Sequence, residues 1–412
     1  MYSFSGKIKL VAIISMVVGL LGIGYSFIAT PSTVEALGAH ASHDPAHAEH
    51  VLHLLQNKPW AALYVAALFF MLISLGVLAF YAINRAAQAG WAPILFRVME
   101  GITGYLPIGA LIFFLLLVFS GLHFNHLFIW MDPAVVAHDT VIQGKTGYLN
   151  VPFFLVRTAI YMLGWIAYRQ ITRKLSKAQD QAHDNRPFIK AFKWSAGFLV
   201  FFLVSESMMS WDWVMSVDPH WFSTLFGWYV FGSLITSAIA AIILVTVTLK
   251  AQGYLQQVND SHLHDLAKYL FGFSIFWTYL WFSQYLLYWY SNIPEEVTYF
   301  VTRLEHYEPI VLSMLAINFL LPLLILVDSD IKRKPWLVGT MAVVILIGHY
   351  LDFFNMIMPA TVGDQWCIGA GEIGSVLFFF GLFTFVTFHS LTKAPLVEKN
   401  HPLMHESEHF HY

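Results

Sequence analysis

The sequence predicts an all-α membrane protein of about ten membrane-spanning helices with both termini cytoplasmic, and three observations carry this. Of 412 residues, 58% are hydrophobic, 17% aromatic and only 11% charged, and mean hydropathy is +0.63. A water-facing domain carries about 25% charged residues, so most of this surface faces lipid, which admits only helices or closed barrels. The apolar stretches are long and unbroken, whereas barrel strands alternate. Lys and Arg are also unevenly shared between the two sides. With the N-terminus inside, the outer segments hold only Lys58, Lys145 and Arg303, while Lys7, Lys9, Arg85, Arg97, the basic stretch 169–193, Lys250 and Lys332 to Lys334 fall inside.

Apolar spans are expected near 8–28, 60–83, 102–124, 151–169, 194–216, 221–248, 268–290, 309–327, 336–358 and 371–391. Each can cross a ~30 Å hydrocarbon core, and Trp and Tyr crowd their ends as interface anchors do. The first span follows Lys7 and Lys9 and is about 20 residues long, which suits a retained helix better than a signal peptide. The chain reads as one polytopic domain: helix 1 at 8–28, one bundle at about 60–216, a second at about 221–358, helix 10 at 371–391 and a polar tail at 392–412. Spans two to five and six to nine each begin on the outside, which is consistent with two parallel four-helix bundles.

Several functions are disfavoured. A net charge of −3 gives no footing for nucleic acid. The single cysteine, Cys367, cannot hold an iron–sulfur cluster, attach haem c or form an internal disulfide. Bis-histidine haem needs two histidines at one depth, and His349, His123 and His389 sit at three different depths. The outer segment after the first span carries His40, His43, His47, His50 and His53 with Asp44 and Glu49. If helical, His43, His47 and His50 share a face with spacing suited to Zn or Cu; the plainer reading, a solvated polar loop without metal, is preferred. The tail, with His401, His405, His409 and His411, reads as disordered or ordered by a partner, and the basic stretch 169–193 as topological.

Ionisable groups at membrane depth are costly and mark function. Arg157 falls about two turns into the fourth span, roughly 9 Å below the outer surface. Glu206 falls near mid-depth in the fifth span and Asp212 nearer the outside. In the ninth span His349 lies near the middle with Asp352 above it, and Glu372 opens the tenth. These residues are proton-pathway candidates. The outer half holds most of them; the inner half has Glu100 at the foot of the third span, then Asp328 and Asp330. Structural alternatives stand beside each. Arg157 pairs with Asp212 or Glu206 as a tie; His349 and Asp352 hydrogen-bond each other; Asp132 and Asp218, each before a proline, serve as caps; Glu372 caps its helix, and Gly371 and Gly374 permit close packing. The aromatic run from Phe276 to Tyr290 either lines an isoprenoid quinone pocket or packs and anchors the helix. Gln284 and Tyr288, with His123 and His126 at the outer end of the third span, are the candidate quinone-binding residues.

Two stretches resemble the NrfD/PsrC-like integral membrane subunits. They are Ser205-Glu206-Ser207-Met208-Met209-Ser210-Trp211-Asp212-Trp213-Val214-Met215-Ser216-Val217-Asp218-Pro219-His220-Trp221 and Thr278 to Glu296, which contains Trp281-Phe282-Ser283-Gln284-Tyr285 and Asn292-Ile293-Pro294-Glu295-Glu296. Within that family the chain is most similar to the ActF-type subunits of bacterial alternative complex III. The resemblance implies two four-helix bundles plus flanking helices in a bacterial cytoplasmic membrane. It implies a subunit, non-catalytic alone, of a respiratory quinol:cytochrome c oxidoreductase, with no prosthetic group of its own. The implied partners are a sister NrfD/PsrC-like subunit that is the better site for quinol, an iron–sulfur subunit, c-type haem subunits, a terminal oxidase and lipids. Glu206 and Asp212 carry over from the matching motif. A secondary transporter or channel, and a scaffold that binds neither quinol nor protons, are the alternatives.

Overall fold

A computed structural model describes residues 1–35 and 45–411. Over these residues the chain is helical without strands, and nine helices are long and apolar enough to cross a membrane. It is a multi-pass membrane protein.

The helices run in the predicted order but extend past the apolar spans. They are α1 (Gly6–Ala29), α2 (Pro45–Ala86), the pair α3 (Phe96–Ile102) and α4 (Leu106–Gly121), two short helices α5 (Pro133–His138) and α6 (Thr140–Gln143), then α7 (Val151–Gln179) and α8 (Arg186–Trp213). The second half holds α9 (Phe226–Ala251), α10 (Asp260–Ser291), α11 (Pro294–His306), α12 (Glu308–Leu315), α13 (Leu321–Ile325), α14 (Pro335–Val362), α15 (Ala370–Leu391) and the short α16 (Met404–Glu408).

Hydropathy marks where a helix meets hydrocarbon, not where it starts. α2 therefore begins well before the expected 60 and runs through Pro59, whose missing N–H falls just outside the apolar stretch. Caps set other boundaries. The Asn150 side chain accepts from the Phe153 N–H to start α7, and Asn259 with His262 forms a capping box on α10. Asp132 caps α5 by accepting from the Ala134 N–H at 2.8 Å; Asp218 caps no helix, because α9 starts later, after Leu225. α12 and α13 join through a π-helical segment, Ala316–Leu320, and Pro322, which has no N–H to give the Asn318 carbonyl, follows it. The 32-residue α10 packs on α9 yet lies outside the nine apolar helices, since its Trp and Tyr are interfacial in character.

His40, His43 and Asp44 lie outside the described residues. His47, His50 and His53 are on α2, and among the described residues no three His, Cys, Asp or Glu side chains converge as metal ligands.

α2 and α9 are almost wholly enclosed. α2 packs on α9, α14, α15, α8 and α4, and the circuit closes through α4 on α7 and α7 on α8. α9 packs in turn on α10 and α14, and α12 on α14. Both described chain ends reach one face: Ser3 meets the Tyr254 hydroxyl, and the Asn259 amide donates to the Phe410 carbonyl at 2.7 Å. We call this the terminal face.

The tail does not behave as expected. Residues 392–411 fold back over the terminal face, with Glu398, His401 and Ser407 buried. Ser407 donates to the Trp91 carbonyl at 2.8 Å. Of the tail histidines, His401 packs among aromatics, its ring 5.6 Å from Phe96 and 5.2 Å from Phe188, while His405, His409 and His411 stay exposed.

α1 leans on α15 and shows its other side outward. The approach depends on glycine: a Cβ on Gly374 would lie 2.9 Å from the Gly19 carbonyl oxygen, and one on Gly19 would lie 2.4 Å from the Phe378 nitrogen. Small residues let backbones meet where lipid offers no hydrophobic drive. Gly374→Leu is expected to cost about 1–3 kcal/mol of helix docking and to lengthen and broaden the spin-label distance between α1 and α15. An unchanged distance would refute the contact.

Candidate functional site: two buried carboxyl centres

The predicted ionisable residues gather in separate centres, each built by helices that converge on one carboxylate. The first joins α7 and α8. Asp212 is fully buried and takes Arg157 in a two-pronged contact, Nε to Oδ2 at 2.9 Å and Nη2 to Oδ1 at 2.8 Å. Tyr161 donates to Oδ2 at 3.1 Å. The third guanidinium nitrogen donates to the Tyr148 carbonyl at 2.9 Å, and the guanidinium carbon lies 3.8 Å from the Tyr148 ring centroid. Such a fork is the strong geometry for a charged pair. Of the alternatives weighed for Arg157, the tie to Asp212 is the one realised. Both oxygens of Asp212 are taken and aromatics fill the surroundings, with Trp213 donating to Thr158 at 3.0 Å and Tyr64 donating to the Trp213 carbonyl at 2.7 Å.

Glu206 does not join this pair. It is buried on α8, one and a half turns from Asp212, with Oε1 lacking a partner.

The second centre joins α9, α10 and α14. Asp352 is fully buried; Tyr229 of α9 hydrogen-bonds Oδ1 and Trp277 of α10 donates to Oδ2 at 2.8 Å. His349 stands one turn away with Nδ1 3.8 Å from Asp352 Oδ2. That is too long for a hydrogen bond, so the expected direct bond is not formed; Nδ1 instead meets the Ser233 hydroxyl at 2.9 Å. The His349 Nε2 is buried without a partner. Where Asp212 has a fixed cation, Asp352 has only neutral donors and an imidazole that becomes cationic when it takes a proton. The pair can therefore accept and release a proton next to a compensating charge.

Beside Asp352, on the side away from the terminal face, lies a cavity of about 10 Å³ lined by Tyr229, Gln284, Arg303 and Asn355. That is about the least volume that holds one water, and too little for a quinone ring. Gln284 Nε2 and Asn355 Oδ1 are buried there without partners. Arg303, expected only as an outer loop charge, is buried. It donates to the Asn355 carbonyl at 3.0 Å and the Met356 carbonyl at 3.1 Å. Pro359 explains the first contact: lacking an N–H, it frees the carbonyl four residues earlier, which is that of Asn355.

The quinone candidates are not gathered into one site. Asn57 exchanges hydrogen bonds with the backbone of His126, whose ring lies 5.7 Å from His53, on the loop after α4. His123, on the same loop, is exposed. Gln284 and Tyr288 are on α10, and the Tyr288 hydroxyl is held by the Phe222 carbonyl at 2.8 Å. Glu372 caps α15 through the Gly369 N–H at 2.9 Å, while the neighbouring glycines face α1, so both structural readings hold.

The terminal face, expected to be the poorer in buried charge, carries the largest ion network. Glu100 Oε2 meets Arg173 and, at 3.4 Å, Arg97; Tyr81 donates to Oε1 at 3.0 Å. Arg97 also reaches Asp180 at 2.6 Å. Arg85 pairs with Glu398, which accepts from Ser176 at 2.6 Å. The burial of Glu398 and His401 was not foreseen because they lie in a polar stretch after the last span, where composition gives no sign of burial. Tyr229 and Ser233 were discoverable as hydroxyls at helical spacing inside an apolar span.

Compared with known proteins, the chain matches no family model and no curated protein.

Two outcomes are expected. Arg157→Leu leaves the Asp212 carboxylate buried and unpaired, a loss of about 3–5 kcal/mol that lowers the thermal midpoint in detergent, and adding Asp212→Asn should restore part of it. A midpoint unchanged by Arg157→Leu would contradict the pairing. Burial, with Arg85 adding to it, pushes His401 from 6.5 down to about 3. The docked tail refuses a proton that a released tail accepts, so docking is complete above about pH 6.5 and weakens as pH falls, by about 2 kcal/mol at pH 5. Limited proteolysis of the tail should accelerate over that range, and in His401→Asn the acceleration should disappear.

Proposed function

We propose that this chain is a membrane subunit of a respiratory quinol:cytochrome c oxidoreductase of the alternative complex III kind, and that its second carboxyl centre handles protons. The observation that carries the reading is His349 with Asp352: a buried imidazole and a buried carboxylate 3.8 Å apart, with one imidazole nitrogen unpartnered and no cation in contact with the acid. Quinol oxidation in the sister subunit releases two protons with its two electrons, and titratable groups beyond that site are needed to carry them away, which is the role given to this pair. The resemblance to NrfD/PsrC-like subunits in the Ser205–Trp221 and Thr278–Glu296 stretches supports the same assignment.

On this reading the terminal face is cytoplasmic, α10 is the seventh span and brings the number of spans to ten, and α2 with α4, α7 and α8 forms one four-helix bundle while α9, α10, α12–α13 and α14 form the second. The pairwise packing of these helices supports the grouping. The membrane is the bacterial cytoplasmic membrane. Quinol, a menaquinol for instance, is oxidised in the sister NrfD/PsrC-like subunit, since the cavity by Gln284 is far smaller than a quinone ring. Electrons pass to an iron–sulfur subunit and then to c-type haem subunits and a terminal oxidase. Glu206 and Asp352 serve proton movement, and the Arg157–Asp212 pair serves as a structural tie.

In the assembled complex, His349→Leu and Asp352→Asn should each lower quinol:cytochrome c turnover by about tenfold or more, with a matching loss of proton release and normal assembly. Wild-type turnover and proton release in both variants would remove the assignment. A chain that purifies alone, without haem- and cluster-bearing partners, would favour a transporter.

A further inference from the structure

Two apolar recesses of about 410 and 420 Å³ open between α14 and α15. They share Phe70, Leu244, Leu346 and Phe380, so they form one groove. Its floor is α2 and α9, the two helices otherwise most enclosed. At the terminal face α1 closes the groove with Lys7, Ile8 and Val11; at the other end lie Ile368 and Glu372. On α15 the lining runs from Ile373 to Phe388, about 22 Å at 1.5 Å per residue, most of a ~30 Å hydrocarbon core.

The chemistry of the lining selects the occupant. An extended hydrocarbon chain suits an apolar slot about 22 Å long. The lining is aliphatic and aromatic along its middle; Tyr350 and Glu372 each turn a buried, unpartnered oxygen at the far end, and the cation of the lining stands at the terminal end. There Lys7 is exposed in the first turn of α1, Thr248 and Thr384 face the groove, and the buried Thr387 hydroxyl has no partner. A cation at the mouth of an apolar slot complements an anionic headgroup whose tail lies in the slot.

We propose that the groove between α14 and α15 is a binding site for one anionic phospholipid, with its phosphate at Lys7 and one acyl chain laid against Phe70, Leu346 and Phe380. The lipid fills the gap between two helices that share a floor, so it is part of the packing of α15 and, through α15, of α1. The site is independent of the proton chemistry at Asp352.

The test uses the protein in the assembly from which it is extracted, reconstituted into nanodiscs of phosphatidylglycerol and phosphatidylethanolamine in equal amounts, washed with mild detergent and analysed for retained lipid by mass spectrometry. Wild type should keep one phosphatidylglycerol per chain. Val343→Trp and Thr384→Trp, on partly exposed walls of the groove, should lose it while assembling normally. Lys7→Gln should lower the preference for phosphatidylglycerol about fivefold, and Lys9→Gln, one turn position away and outside the lining, should leave it unchanged. Retention unaffected by both tryptophans, a preference unaffected by Lys7→Gln, or an isoprenoid or protein-attached acyl chain found in the groove would each overturn the proposal.

Discussion

Hydrocarbon offers no hydrogen bonds, so every charge and every freed backbone carbonyl inside this molecule must be met by another part of the chain. The arrangement of the polar groups follows from that constraint. Asp212 comes at the end of α8 and Asp352 within α14, and each is the point on which neighbouring helices converge. Arg303 answers the carbonyl released by Pro359. On the terminal face three arginines and two glutamates close on one another over the ends of α2, α3 and α7, with the tail supplying the last carboxylate.

The two carboxyl centres solve the same electrostatic problem in opposite ways. A bidentate guanidinium holds Asp212, which fixes its charge and geometry and locks α7 to α8. Asp352 is held by a phenol and an indole, and His349 stands 3.8 Å from it. Tyrosines reach both places: Tyr64 of α2 donates to the carbonyl of Trp213, next to Asp212, and Tyr229 of α9 reaches Asp352 itself. The two centres differ in that an arginine stands beside one acid and a histidine beside the other.

Much of this was legible in the sequence because lipid imposes a coarse and strong rule. The apolar runs located the helices, and the rarity of charge made Arg157, Asp212, His349 and Asp352 conspicuous. What could not be read was contact. Depth arithmetic put Glu206 and Asp212 in one zone, but they lie one and a half turns apart and only Asp212 meets Arg157. His349 and Asp352 are one turn apart, yet the imidazole turns to Ser233. α10 begins eight residues before its span because capping by Asn259, not hydropathy, sets its start. The tail escaped notice for the reverse reason: its burial depends on ion pairing with Arg85, and charge in a polar segment looks the same whether it is solvated or paired.

The clasp formed by Glu398 also has a meaning in time. Arg85, Arg97 and Arg173 are made early, and the carboxylate that completes their neutralisation follows the last membrane span. Until that segment has left the ribosome, Arg85 lacks its closest counter-ion and the ends of α2, α3 and α7 remain electrostatically open. Closure of this face is therefore a late step of folding, and a chain truncated before residue 398 would leave Arg85 with only the more distant Glu100 as a counter-ion.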